Sequence, residues 1–167
     1  MYTCGDLVVY GVHGVCRITE LEQRTVDRKR LTYYVLEPLD QDGARYYVPT
    51  HNESAVAKMR AVLSAQALEA LLRSNEVRAD AWIPDENLRK QTYRELISSG
   101  DRTRLLQMVC SLHRHKSEVL AAGKKFHLCD DNFLRDAQKL LSSEFSLMLG
   151  IPANQVGEYV RKALSDE

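Results

Sequence analysis

The sequence predicts an α+β protein in which a small, strongly bent sheet or SH3-like β barrel precedes a compact α-helical bundle. The first fifty residues are short β-branched and aromatic runs separated by turn residues. The later segments instead repeat apolar residues at the spacing of amphipathic helices. A polar junction at residues 51–54 separates the two patterns, so we predict domains over residues 1–55 and 56–167.

Four strand patterns precede the junction, at residues 7–10, 15–22, 31–36 and 44–48. Asp42-Gly43 carries the signal of a tight hairpin, and a polar turn is predicted at residues 27–30. Over residues 15–22 the alternation places Leu21 on the face opposite Ile18, imperfectly, as expected for a strongly bent strand. Four or five short strands in so few residues suit a small barrel.

Capping residues mark the helices of the second part. Ser64 is the predicted N-cap of a helix over residues 65–73, and residues 74–81 are predicted to be a polar loop. Pro84 is predicted to lie in the first turn of a helix over residues 85–100, where its missing N–H costs nothing. Later boundaries are predicted at Gly100, Asp101, Asp130, Asp131, Gly150 and Pro152. Helices joined by such short loops predict a compact bundle.

Composition places the chain among ordinary globular proteins. It has 167 residues, no formal net charge and 44% hydrophobic residues, without an apolar run long enough for a membrane span. The first residues lack the pattern of a signal peptide, so we expect a cytoplasmic protein with no membrane partner. Because phosphate-binding glycine loops and nucleophile motifs are missing, we expect neither catalysis nor a cofactor.

Charge is unevenly distributed around the single tryptophan, Trp82. Residues 82–127 hold nine basic and five acidic side chains, a local charge of +4, whereas residues 128–167 hold four and seven, a charge of −3. The basic stretch suits an anionic polymer. Beside it, Trp82 has two interpretations: a planar group that wedges against a base, or an anchor in the core.

Three basic residues follow Trp82 closely. Neighbours among Arg89, Lys90 and Arg94 lie one helical turn or less apart, so at least two of them can share a face. We predict that they contact phosphates, and the other interpretation is a solvated charged face.

A metal site is an alternative for the Cys and His residues of the basic stretch. Cys110 and His113 lie three residues apart, with His115, His127 and Cys129 nearby, a set that could contribute to a zinc site. The simpler interpretation is a buried small hydrophobic residue plus solvent-facing histidines. No C-x-x-C pair is present, and a small metal-dependent enzyme remains a third hypothesis.

Four N-terminal segments carry a family resemblance: GDLVVY at residues 5–10, HGV at 13–15, YVL at 34–36 and YVP at 47–49. They resemble the opening of CarD/CdnL family regulators, whose first module is shared with the RNA-polymerase-interaction domain of the transcription-repair coupling factor. The resemblance implies a Tudor-like barrel that docks on the β subunit of bacterial RNA polymerase.

The resemblance also implies contact residues for the polymerase. Arg24 matches a family arginine, whereas Tyr47 stands where well-studied members carry an arginine before Val-Pro. We expect Arg24, Tyr46 and Tyr47 to form the contact, which the tyrosine makes less electrostatic than in those members.

The helical part resembles the same family in its order of motifs. Trp82, YREL at residues 93–96 and SGD at 99–101 match the start of the CarD C-terminal domain, and residues 137–151 match its end. In the family, the matching tryptophan wedges into the minor groove at the upstream edge of the promoter bubble. The resemblance therefore implies a regulator of open-complex stability that binds polymerase and promoter DNA, and we expect it to be a monomer in solution. The alternative is a protein-interaction adaptor whose helical domain does not contact DNA.

Overall fold

The computed structural model describes residues 1–165 and divides into two units, residues 1–62 and the chain from Leu63 onward. Each unit has its own hydrophobic core. The division falls at residue 62 rather than at the predicted 55, because a last short strand at Met59–Ala61 pairs with the first strand. Sequence periodicity gave no sign of a strand only three residues long.

The N-terminal unit is one antiparallel sheet of five strands in the order β4-β3-β2-β1-β5. The strands are β1 (Leu7–Tyr10), β2 (Val15–Val26), β3 (Lys29–Pro38), β4 (Tyr46–Pro49) and β5 (Met59–Ala61). A 3-10 turn, Gly11–His13, joins β1 to β2, and the short helix α1 (Glu53–Val56) lies between β4 and β5.

The predicted barrel closure is not confirmed. The edge strands β4 and β5 are four and three residues long, and among the described strands no pairing joins them. The chain between them runs through α1, so the sheet stays open at both edges.

A bulge in β2 decides which side chains face the core. Ile18 lies opposite Leu36, but Glu20 lies opposite Val35, so Thr19 is an extra residue that shifts the two-residue period. Leu21, opposite Tyr34, therefore returns to the face of Ile18, which corrects the prediction that these two residues lie on different faces. Beyond the bulge, Glu22 and Arg24 lie together on the other face.

The hairpin between β2 and β3 is tighter than predicted. Val26 pairs with Lys29, which leaves a two-residue turn at Asp27 and Arg28, with φ of 50° and 66°. Two consecutive left-handed residues give the turn geometry that matches strand twist in hairpins. The core beneath the sheet consists of Val8, Cys16, Ile18, Tyr34, Leu36, Val48 and Met59.

The C-terminal unit contains six described helices: α2 (Ala65–Leu72), α3 (Asn75–Arg78), α4 (Glu86–Ser99), α5 (Arg102–Ala121), α6 (Leu128–Leu149) and α7 (Ala153–Ser165). The side chains of Ser64 and Asp101 cap α2 and α5 as predicted, and Gly100 ends α4 in the left-handed conformation. None of the described helices is long and apolar enough to cross a membrane.

Three boundary predictions are wrong. Residues 74–81 contain the helix α3, because the Ser74 hydroxyl accepts the N–H of Val77 and starts a short turn of helix. Pro84 lies just before the N-cap of α4, since the Asp85 carboxylate accepts the N–H of Leu88. At α6, Asp130 and Asp131 lie in the first turn rather than at the cap.

The helices pack through a core crossed by two buried ion pairs. Tyr93 of α4 meets Phe133 of α6 edge-on, with ring centroids 5.6 Å apart. Arg89 of α4 pairs with Asp130 of α6 at 2.9 Å. Arg102 of α5 pairs with Glu144 of α6. Since an isolated buried charge is costly, each pair fixes one helix against α6.

The fifth strand predicts where an N-terminal fragment can end. We expect residues 1–62 to unfold cooperatively, whereas residues 1–55 lose Met59, which is 4% exposed in the core. Loss of a buried methionine side chain costs about 2–5 kcal/mol. Urea unfolding of the two fragments measures the difference, with Met59→Ala in the full chain as the control. Equal stability of the two fragments would contradict an essential fifth strand.

Candidate functional site

Two of the three predicted polymerase-contact residues lie together on the outer face of the sheet. The Arg24 guanidinium lies 4.2 Å from the ring centre of Tyr47 and 5.8 Å from that of Tyr33. Its Nε donates to Glu22 Oε1 at 2.8 Å. These four residues, the Arg24 cluster, come from β2, β3 and the edge strand β4.

In the Arg24 cluster, the exposed Arg24 and the partly exposed Glu22 stabilise each other's charges. The hydrogen bond between Arg24 and Glu22 lowers the pKa of the Glu22 carboxyl. The same hydrogen bond raises the pKa of the Arg24 guanidinium. A cation held over an aromatic ring at the surface offers a partner both a charge and an apolar face. The arrangement is therefore a mixed contact surface and not a purely basic one.

Tyr46 lies on the opposite face of the sheet. Its ring stacks on His13 with centroids 4.0 Å apart and lies 5.9 Å from Tyr10. Burial and the charge of Lys58 lower the pKa of His13, which favours the neutral imidazole in this stack. Neighbouring residues of a strand point to opposite faces, so Tyr46 and Tyr47 do not contribute to one flat surface.

Trp82 is half-buried and packs against the helical core. Its ring stacks on His115 at 3.6 Å with an interplanar angle of 15°, and the Arg89 guanidinium lies 4.4 Å from the ring centre. Both groups therefore contact the indole ring. Phe126 continues the group, 6.3 Å from His115. These four residues are called the Trp82 shelf.

The loop that carries Trp82 is fixed by hydrogen bonds on both sides. The backbone N–H of Trp82 donates to Asp80 Oδ1 at 3.0 Å, and the backbone N–H of Ala81 donates to the Ser111 hydroxyl at 2.9 Å. The Arg89 Nη1 donates to the carbonyl of Ile83 at 3.0 Å. Trp82 thus combines the two interpretations that the sequence left open, because the ring is anchored on the core and still partly exposed.

Arg89 does not fit its predicted role as a phosphate contact. The residue is 5% exposed, and its Nε and Nη2 donate to the two carboxylate oxygens of Asp130 at 2.9 and 3.1 Å. A guanidinium engaged in a buried fork has no donor directed at solvent. Its place beside the indole makes Arg89 a positioning residue for Trp82.

Lys90 and Arg94 remain on the surface. Lys90 pairs with Glu86 at 2.8 Å, one turn earlier on α4, and this hydrogen bond raises the pKa of the ammonium. Arg94 is exposed one turn later. Both side chains can reach a phosphate, although Lys90 must first leave Glu86.

Two members of the Trp82 shelf, His115 and Phe126, were not predicted from the sequence to contact DNA. His115 and Phe126 belong to the short segments HRHK at residues 113–116 and KKFH at 124–127, where basic and aromatic residues alternate. Such alternation is a signal of nucleic-acid binding. Lys116 lies 5.5 Å from the Phe126 ring centre, and Lys124 and Lys125 are exposed beside Phe126 in the chain.

The residues of the zinc alternative are not assembled into a metal site. Within residues 1–165, no three His, Cys, Asp or Glu side chains come together as ligands. His113 Nε2 instead lies 2.9 Å from the amide nitrogen of Gln138, and Cys110 is buried.

The different burial of Arg89 and Lys90 gives a prediction. Arg89→Ala should lower the free energy of unfolding by about 3–5 kcal/mol, because it leaves Asp130 buried without its partner. Lys90→Ala, which removes the same charge from the surface, should change the stability little. Chemical denaturation measures both.

A double variant separates stability from positioning. Arg89→Met with Asp130→Leu removes both charges, so stability should recover while Trp82 loses its guanidinium. Trp82 fluorescence then reports the freed ring. Equal destabilisation by Arg89→Ala and Lys90→Ala would contradict the buried pair.

The comparison with known families matches the N-terminal unit. Residues 2–63 match the family model described as the CarD-like/TRCF RID domain, an RNA polymerase-interacting domain. The matched range covers all five strands, including β5. With this domain, the protein is a transcription-related protein that interacts with RNA polymerase. Residues 2–63 therefore form a CarD-like/TRCF RID domain, which interacts with RNA polymerase.

Proposed function

We propose that the protein regulates transcription by binding the β subunit of RNA polymerase with its N-terminal unit and promoter DNA with its helical unit. The DNA site is the upstream edge of the promoter bubble, and the effect is a change in open-complex stability. The observation that carries the proposal is a fixed, partly exposed tryptophan in a chain with a polymerase-interacting domain. The protein acts as a monomer in the cytoplasm, by binding and not by catalysis.

The polymerase contact is assigned to the Arg24 cluster and the edge of β4. As an edge strand, β4 presents backbone groups that a partner strand can pair with. Tyr47 replaces the expected arginine, but the Arg24 guanidinium lies over its ring. A positive charge is therefore kept at this place while the apolar area increases.

The DNA contact is assigned to the Trp82 shelf and its neighbouring cations. A ring that is already held by Arg89 and His115 loses little conformational entropy when it meets a base step. Arg94, Lys124 and Lys125 are exposed and can contact phosphates, whereas Lys90 and Lys116 first have to leave Glu86 and Asp131, which they contact at 2.8 and 3.0 Å. Arg89 acts through Trp82 and not through DNA.

The mechanism is a shift in an equilibrium. A protein that binds open promoter better than closed promoter stabilises the open form by its difference in affinity. An apolar wedge binds open promoter more tightly than closed promoter. An intact duplex must first lose base stacking before the wedge can enter, whereas the bases at the edge of a bubble are already unstacked.

The adaptor alternative also has support. Leu120 and Leu128 are 55% and 73% exposed at the end of α5 and the start of α6. Exposed leucines are features of a protein-binding surface. DNA binding and an apolar protein interface differ in salt dependence, since each phosphate contact steepens the fall of affinity with salt by about 0.9.

For the polymerase contact, Arg24→Ala and Tyr47→Ala should each weaken binding to the purified β subunit at least about tenfold, as for central interface residues. Arg30→Ala is the matched control, because it removes one exposed charge from the neighbouring strand β3. Surface plasmon resonance measures the affinities. If Arg30→Ala weakens binding as much as Arg24→Ala does, the loss of affinity comes from the change in net charge, and the Arg24 cluster is not the contact.

For the DNA contact, Trp82→Ala should shorten open-complex lifetimes by roughly five- to a hundred-fold, the value of one stacked aromatic. Because the ring is half-buried, the variant should also lose about 1–3 kcal/mol of unfolding free energy, less than a fully buried tryptophan. Trp82→Phe keeps part of the packing and serves as the comparison. Lifetimes that stay unchanged for the folded fraction would exclude the wedge.

A further inference from the structure

The helical unit has a groove between α5 and α7. Its volume is about 250 Å³, and its lining consists of Cys110, His113, Arg114, Ser117, Arg161 and Leu164. The four α5 residues recur at helical spacing and therefore share one face of that helix. None of them belongs to the Trp82 shelf or to the Arg24 cluster.

The groove carries an excess of positive charge. Among residues 1–165, its lining contains two arginines and no carboxylate. Arg161 is exposed and has no hydrogen bond or ion pair within the part of the chain that the structure describes. Arg114 is oriented by its hydrogen bond to the carbonyl of Arg78 at 3.1 Å, and its ion pair with Asp80 is long, at 3.8 Å.

The positive charge of the groove affects the pKa of His113, the histidine in its lining. Burial lowers the pKa of His113, and the charges of Lys116 and Arg161 lower it further. The imidazole is therefore biased towards its neutral form, beside Gln138. The positive potential in the groove thus comes from arginine side chains, which stay charged at any physiological pH.

A larger cleft nearby is less suited to an anion. It measures about 550 Å³ and contains Arg73, Arg78 and Lys162, but also the Glu69 carboxylate, which accepts a hydrogen bond from Tyr159. Its cations lie at the C-terminal ends of α2, α3 and α7, where positive charge stabilises the helix dipole.

We propose that the groove between α5 and α7 binds a phosphoryl group, with Arg161 and Arg114 as the charged donors and the Ser117 hydroxyl as a neutral one. Arginine presents paired donors that match phosphate oxygens. The volume suits one or two phosphoryl groups, since sites for larger ligands start at about 300 Å³. The group belongs either to a free small molecule or to a nucleic-acid backbone.

The test compares two charge-removing variants of the full chain. Pyrophosphate is titrated by calorimetry into the wild type, Arg161→Gln and Arg135→Gln. Arg135 is the matched control, because it is an exposed arginine of α6 outside the groove. We expect Arg161→Gln to weaken binding by about tenfold or more, the value of one hydrogen bond to a charged group, and Arg135→Gln to leave it unchanged.

A second arm uses duplex DNA without polymerase. If the phosphoryl group is part of the backbone, Arg161→Gln should reduce the slope of log affinity against log salt by about 0.9, and Arg135→Gln should not. A change in the pyrophosphate arm alone assigns the groove to a small molecule. If neither arm distinguishes Arg161→Gln from Arg135→Gln, the site is refuted, whatever the Trp82 variants do at promoters.

Discussion

The helical unit depends on the buried pair between Arg89 and Asp130. The Arg89 guanidinium donates to the Asp130 carboxylate of α6 and to the carbonyl of Ile83, and it lies 4.4 Å from the ring centre of Trp82. The pair joins α4 to α6 and sets the position of the tryptophan with the same atoms. Because a buried guanidinium must satisfy its donors, the loop before α4 has few alternative conformations. The rigidity of the proposed DNA wedge is thus a consequence of how the core is held together.

In the N-terminal unit, the corresponding constraint is the bulge at Thr19. It shifts the strand period, so that Glu22 and Arg24 lie on the outer face beside Tyr33 and Tyr47. Without the extra residue, Arg24 would lie on the core face of the sheet. The contact surface proposed for RNA polymerase therefore depends on a backbone irregularity several residues away from it.

Much of the fold could be predicted from local signals. Alternation located four strands, and the side chains of Ser64 and Asp101 cap helices as local capping rules require. The failures were elements below the length at which periodicity is visible, such as β5 and α3. Closure of the sheet was also beyond prediction, because it depends on the path of the chain between two short edge strands.

By itself, the sequence determined the α+β class, the resemblance to CarD-like proteins and the presence of one tryptophan in a basic stretch. Only the tertiary structure decided which cations are available to a partner. Arg89, Lys90 and Arg94 are close in sequence, yet one is buried on Asp130, one pairs with Glu86 and one is exposed. The physical reason is that Asp130 lies 41 residues away along the chain, and a buried charge is stabilised by its neighbours in space.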